Sequence, residues 1–306
     1  MGCQKCGADK TAIASEHALE ASSQKSIDIR SLKRSNFELG FRDYLRGISR
    51  LPALLFHFSI LCYNFLVRNY DPSVLVTFLN RVNKTLNIHV KVLGMDKIRP
   101  ANNATATVSD HGKHPPERKV VFVSNHVGFI DALILPRFIR SGVIASISAA
   151  STLFGTIFQR YAPTLVISRG NKLNTVDLMN RFMSEDSRHT SMYVFPQGLF
   201  AQIDTLTRFR SGAFATRHPV QPVVTRYRQD VSSLSMLESL CFPRVDVTVH
   251  VLDVMPREGV EATPAKDTDD AAAKARMYAE RVRKHMAAHT SPPLLLSNVQ
   301  SYDAVD

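Results

Sequence analysis

Residues 121–131 read VFVSNHVGFID, a β-branched and aromatic run that ends at Asn125-His126, with Asp131 following after four intervening positions. Imidazole titrates near neutral pH, and a nearby carboxylate fixes its tautomer and stabilises the cation formed when it takes a proton. A histidine at a strand end with a carboxylate close behind it is therefore equipped for general-base chemistry on a hydroxyl. The spacing alone is met by chance in many chains, where such a histidine caps a helix or sits in a loop. What separates the two readings lies downstream.

The elements that must position these residues follow from hydrophobic periodicity. From residue 119, strand-like runs alternate with helical ones: KVVFVSN, a helix near 129–140, VIASISA, a helix near 151–160, TLVISR, a helix near 174–184, SMYVFP, a helix near 209–217, then VQPVVTRY. Strands separated by helices of this size predict βαβ units, hence an α/β fold with a mostly parallel central sheet flanked by helices. IHVKVLG (88–94) and VDVTVHVLDV (245–254) alternate as further strands, and the alanine-rich stretch 271–286 reads as a closing surface helix. In an open α/β sheet, ligands bind beyond the carboxyl ends of the strands. His126, Arg169 and the Pro196-Gln197-Gly198 turn each follow a predicted strand directly, so they are expected to converge on one edge.

Four segments, in order, carry a resemblance. VSNHVGFID, LVISRG (165–170), MYVFPQGLF (192–200) and HPVQPVVT (218–225) resemble the four motif blocks of the glycerolipid acyltransferases, the group typified by lysophosphatidic acid acyltransferase. RFRSGAFATR (208–217) is similar to the basic, glycine-containing helix start usual there, and the likeness spans roughly residues 88–286. The resemblance implies acyl transfer from acyl-CoA to a hydroxyl of a lysophospholipid, with His126 as general base supported by Asp131. It also implies acceptor binding by Asn125, Arg169, Pro196, Gln197 and Gly198. Guanidinium chemistry adds Arg208 and Arg210 as candidate phosphate partners, and backbone N–H groups near Gly198 are candidates to meet an oxyanion. No cofactor or metal is implied beyond acyl-CoA as co-substrate.

The third block departs from its usual Phe-Pro-Glu-Gly-Thr-Arg: Gln197 replaces Glu, and Leu199-Phe200 replaces Thr-Arg. Gln keeps hydrogen-bonding capacity without charge, whereas Leu-Phe loses both. Either Arg169, Arg208 and Arg210 replace the missing phosphate partner, or the acceptor carries no phosphate monoester at that point. The alternative class is a non-catalytic lipid-binding or membrane-tethering protein that keeps the fold.

The chain of 306 residues has a net charge of +11, which implies an anionic partner such as a membrane surface or CoA. Its cations are scattered instead of forming a run with interleaved aromatics, and no recognition module appears, which makes nucleic acid the poorer reading. Four cysteines are too few for a disulfide framework, and Cys3-x-x-Cys6 is half a zinc site at most. The start, MGCQKC, resembles the dual-acylation arm of Src-family kinases, with Gly2 as a myristoylation site and Cys3 and Cys6 as palmitoylation sites, although Cys6 stands where Ser or Thr is usual. Residues 37–50 predict a basic amphipathic helix carrying Arg42, Arg46 and Arg50. The apolar run 51–67 is short for a span and holds Pro52, His57 and Asn64, which favours insertion into one leaflet. The expected organisation is a flexible arm (1–35), membrane-associating helices (36–87), an acyltransferase domain (88–286) and a tail (287–306), membrane-associated and facing the cytosol.

Overall fold

The computed structural model describes residues 40–98, 119–139, 141–167, 175–185, 191–198, 200–228, 236–257 and 268–297. Its strands are β1 (Ile88–Leu93), β2 (Val121–Ser124), β3 (Gly142–Ser146), β4 (Thr164–Ile167), β5 (Met192–Val194), β6 (Thr205–Leu206), β7 (Val220–Tyr227), β8 (Val245–Val251) and β9 (Leu295–Leu296). The helices are α1 (Phe41–Leu66), α2 (Pro72–Thr85), α3 (Phe129–Ile134), α4 (Ile147–Ala150), α5 (Leu153–Tyr161), α6 (Thr175–Glu185), α7 (Met236–Cys241) and α8 (Thr268–Ala288). Seven strands form one sheet in the order β1-β8-β7-β2-β5-β3-β4, in which only the β7–β8 pair is antiparallel. The fold is thus α/β, with a mostly parallel central sheet flanked by helices.

Strand alternation divides the core into two layers. Phe122, Tyr193, Val223, Tyr227, Val245, Val247 and Val249 face α1, α2, α3 and α5. Val121, Val123, Val220 and Val224 face the other way, onto Met179 and Met183 of α6 and Tyr278, Val282 and Met286 of α8. The stretch 209–217 makes only a short 3-10 turn at Ser211–Phe214, not the helix expected there. Phe209 and Phe214 stack there and are buried, so packing of the two rings, not helix propensity, sets the backbone. Past α8 the chain returns to the body: Leu295 N–H donates to Asp204, and the buried Arg283 guanidinium holds the carbonyls of Leu206 and Ser297.

The strand that delivers the site ends by a side-chain device. Asn125, immediately after β2, donates through Nδ2 to the Thr225 carbonyl and accepts at Oδ1 from the Thr225 N–H, both at 2.8 Å. Its amide thereby replaces the backbone of one further ladder residue while the main chain turns away. Ser124 adds bonds to the Asn125 carbonyl and the Thr225 hydroxyl.

At the N-terminal side, the segments 37–50 and 51–67 read separately above are one helix from Phe41, running through Pro52. Pro52 is exposed, so the hydrogen bond its ring forfeits lies on the outer side of the helix. Phe41, Tyr44, Ile48, Leu51, Leu55, Phe56, Tyr63 and Leu66 form an exposed apolar stripe, while Leu54, Phe58, Leu61 and Phe65 pack inward. Among the described residues α1 alone is long and apolar enough to cross a membrane. The basic residues are divided. Arg42 is exposed, but Arg46 donates to the Cys241 carbonyl and Arg50 to those of Leu240, Phe242 and Pro243, neutralising the C-terminal end of α7. Gly47 allows that approach, since a Cβ there would lie 2.6 Å from Cys241 Sγ.

Two expected outcomes follow from these contacts. Asn125→Ala leaves the N–H and C=O of buried Thr225 unpaired and should lower stability by about 2–4 kcal/mol in urea unfolding. Gly47→Val should separate α1 from α7 at a cost of about 1–3 kcal/mol, with increased proteolysis of α1; a variant as stable and resistant as wild type would refute the close contact.

Candidate active site

His126 emerges where β2 has ended and α3 has not begun. Its Nδ1 lies 2.9 Å from Asp131 Oδ2, with the histidine side chain 19% exposed and the aspartate wholly buried. Asp131 is the third residue of α3, and the same Oδ2 accepts from the N–H groups of Val127 and Gly128 at 2.7 and 3.1 Å. Oδ1 accepts a short hydrogen bond from the Tyr227 hydroxyl at the end of β7. Burial above all, then the Asp131 charge, pushes the Tyr227 phenol well above its ordinary range, so it stays protonated and donating. Since a carboxylate only accepts, Nδ1 carries the proton and the lone pair of neutral His126 sits on Nε2. Nε2 has no hydrogen-bonding partner among the described residues.

Two rings hold the imidazole. Phe195 stacks on it at 3.8 Å between centroids and 15° between planes, and Phe200 meets it edge-on at 4.5 Å. Phe200 is 58% exposed, so the rim beside Nε2 is apolar. The backbone is fixed on both sides: the His126 N–H donates to Gln197 Oε1 at 2.7 Å, and the His126 carbonyl accepts from Ala201 N–H, also at 2.7 Å. Gln197 is itself fully buried, and its Nε2 donates to the Thr207 hydroxyl at 3.0 Å.

The predicted convergence of strand ends is observed for His126 and the Pro196-Gln197-Gly198 turn. Gly198 has φ 75°, in the left-handed region that favours glycine, and Arg210 lies against it: a Cβ at 198 would come within 2.5 Å of the guanidinium carbon. The Arg210 N–H donates to the Pro196 carbonyl, tying the two loops. Arg208 is exposed beside them. One expectation is corrected. The Gly198 N–H closes the turn onto the Phe195 carbonyl at 3.1 Å and is not presented to an oxyanion. Asn125 and Gln197, expected to bind acceptor, are buried beneath His126 with their amides engaged by the protein. Arg169, Leu199, Gly2, Cys3 and Cys6 lie outside the described residues.

Sequence reasoning missed Tyr227, Thr207 and Phe195. Tyr227 stands 96 residues from Asp131, and only its place at the end of the strand beside β2 signals it. Among the described residues no group of His, Cys, Asp and Glu is arranged to hold a metal ion.

Residues 90–226 match the Acyltransferase family model. Human lysophosphatidylcholine acyltransferase 1 is 26% identical over 187 residues, which cover 56% of this chain and 33% of that protein. Lysophospholipid acyltransferase LPEAT1 of Arabidopsis thaliana is 28% identical over 197 residues, 60% of this chain and 47% of that one. The chain thus matches between a third and a half of the length of these relatives. The crystal structure of the 1-acyl-sn-glycerophosphate acyltransferase PlsC from Thermotoga maritima superposes with a TM-score of 0.52 at 17% identity, covering 78% of this chain and 95% of that one, which establishes a shared fold. The region that matches the Acyltransferase family model runs from β1 to β7 and holds the His126–Asp131 pair.

Proposed function

We propose that this chain is an O-acyltransferase that moves a fatty acyl group from acyl-CoA to a lysophospholipid hydroxyl at a membrane surface. The observation that carries the reading is His126, its proton fixed on Nδ1 by Asp131 and its Nε2 turned to a partly open, apolar-rimmed space. Nε2 takes the proton of the acceptor hydroxyl as that oxygen attacks the thioester carbonyl. The C–O bond forms, the C–S bond breaks, and the imidazolium returns the proton to the departing CoA thiolate. Asp131 stabilises the imidazolium, and its other acceptor positions are filled by Val127, Gly128 and Tyr227. Asn125, Gln197 and Tyr227 position this pair and do not touch the reacting atoms.

The acceptor we infer is a lysophospholipid whose phosphate is a diester. Two facts support it: Leu199-Phe200 supplies no cation beside the histidine, and the human relative is named for lysophosphatidylcholine. Arg169, Arg208 and Arg210 remain the phosphate partners in this reading. The stripe on α1 lies in one leaflet of a membrane reached from the cytosol, and acylation of Gly2, Cys3 and Cys6 adds the second anchor that stable attachment requires.

The test is acyl-CoA consumption in mixed micelles with a panel of lysophospholipids. Turnover is expected with lysophosphatidylcholine above lysophosphatidic acid, and His126→Ala should lower kcat by about 10²–10⁴-fold. Lipid binding without consumption of acyl-CoA would sink the enzyme reading in favour of a tethering protein. At Gln197 the expectation is split: Gln197→Ala should lower kcat about tenfold, the effect of one lost hydrogen bond on the His126 backbone. Gln197→Glu should stay near wild type, because a carboxylate accepts from His126 N–H and the Thr207 hydroxyl can rotate to donate. Equal losses in both variants would show that the amide is needed for something else.

A further inference from the structure

On the face of the sheet turned away from α1 and α2, the β1–β8–β7 edge floors a groove of about 780 Å³. Register sets its chemistry. Side chains pointing away from the core layer put His89 beside Asp246, Lys91 beside Thr248, and Arg226 on the far side of Thr248. Arg228 follows at the strand end, its N–H on the Asp246 carbonyl at 3.0 Å. Ile203, Asp204, Ser291 and Pro292 complete the lining, with Asp204 and the Pro292 carbonyl both held by the Arg226 guanidinium.

The acidic groups of the groove already have partners. Asp204 accepts from Arg226 at 3.0 Å, and Asp246 pairs with Arg244 at 2.7 Å. Lys91 and Arg228 have no ion pair or hydrogen bond from their side chains among the described residues. The groove thus carries two uncompensated cations in a concave space. His250 senses the same field: burial foremost, then the charges of Arg226 and Lys91, lower its imidazole below the usual range.

The groove lies at the end of β7 where the active site also lies. Arg228 directly follows Tyr227, whose side chain on the opposite face holds Asp131, and Ile203-Asp204 closely follow Ala201, whose N–H donates to the His126 carbonyl. The groove's face is opposite the layer that carries the apolar stripe of α1, so an occupant comes from the aqueous side and not from the leaflet. We propose that this groove holds the phosphorylated nucleotide end of the acyl-CoA donor, with Lys91 and Arg228 meeting its phosphates. The assignment rests on the acyl-CoA reading above. It places donor and acceptor on different sides of the sheet edge, meeting at His126.

The experiment compares wild type, Lys91→Ala/Arg228→Ala and the charge-matched control Lys274→Ala/Lys284→Ala as full chains in mixed micelles. It reads direct binding of desulfo-CoA, KM for acyl-CoA, KM for lysophospholipid, and attachment to phosphatidylglycerol vesicles. The groove variant is expected to weaken desulfo-CoA binding and raise the acyl-CoA KM at least about tenfold, the loss of charge-assisted phosphate contacts. The lysophospholipid KM and vesicle attachment should match the control. Desulfo-CoA binding equal in all three proteins would overturn the proposal, as would a groove variant that loses vesicle attachment alone, which would mark a lipid headgroup site. Desulfo-CoA binding that depends on Lys91 and Arg228, without turnover of any lysophospholipid, would uphold the groove while removing the acyltransferase reading.

Discussion

Asp131 is a fully buried carboxylate that gathers donors from two separate parts of the chain: the His126 ring with the Val127 and Gly128 N–H groups ahead of α3, and the Tyr227 hydroxyl on β7. A buried charge without such partners is costly, so the groups that satisfy it are held to narrow positions. The demand for compensation fixes the start of α3, the end of β7 and the tautomer of His126 together. Displacing any of the three uncovers a charge in the core, which is why the imidazole can stand partly in solvent and still be well placed.

β7 is the strand through which this constraint reaches the rest of the molecule. It lies beside β2, pairs through the Thr225 backbone with the Asn125 amide, carries Tyr227, and is the point where the sheet changes to antiparallel at β8. That reversal turns β1 and β8 against the remaining strands, with His89, Lys91, Asp246 and Thr248 on their polar face. The same arrangement gives a buried, rigid pair on one side of the edge and a charged concavity on the other.

Much of this was legible in the chain. Alternation and helical periodicity located the seven main strands and most of the helices between them, because each element buries one face and writes that face into its spacing; the 3-10 turn at Ser211–Phe214 reads as a helix in the sequence and α7 was missed. His126 and Asp131 were legible because strand end and carboxylate are close in sequence. Tyr227 and Thr207 were not, since their roles depend on neighbours brought in by the sheet. Gln197 was misplaced for a related reason: read as a substrate ligand from its loop, it is a buried strut for the His126 backbone. Arg46 and Arg50 read as a membrane-facing charge pattern, but the carbonyl end of α7, far away in sequence, claims them.

That last attachment has a geometrical consequence. Because Arg46, Arg50 and the close approach at Gly47 fasten α1 to α7, and α7 leads directly into β8, the apolar stripe is coupled to the sheet without a hinge. In the proposed function, the depth at which this helix sits in a leaflet sets the height of Nε2 above the acyl chains, much as a depth stop sets a drill. On that reading the depth of an acceptor hydroxyl within the bilayer is a criterion of selection, independent of which headgroup the site recognises.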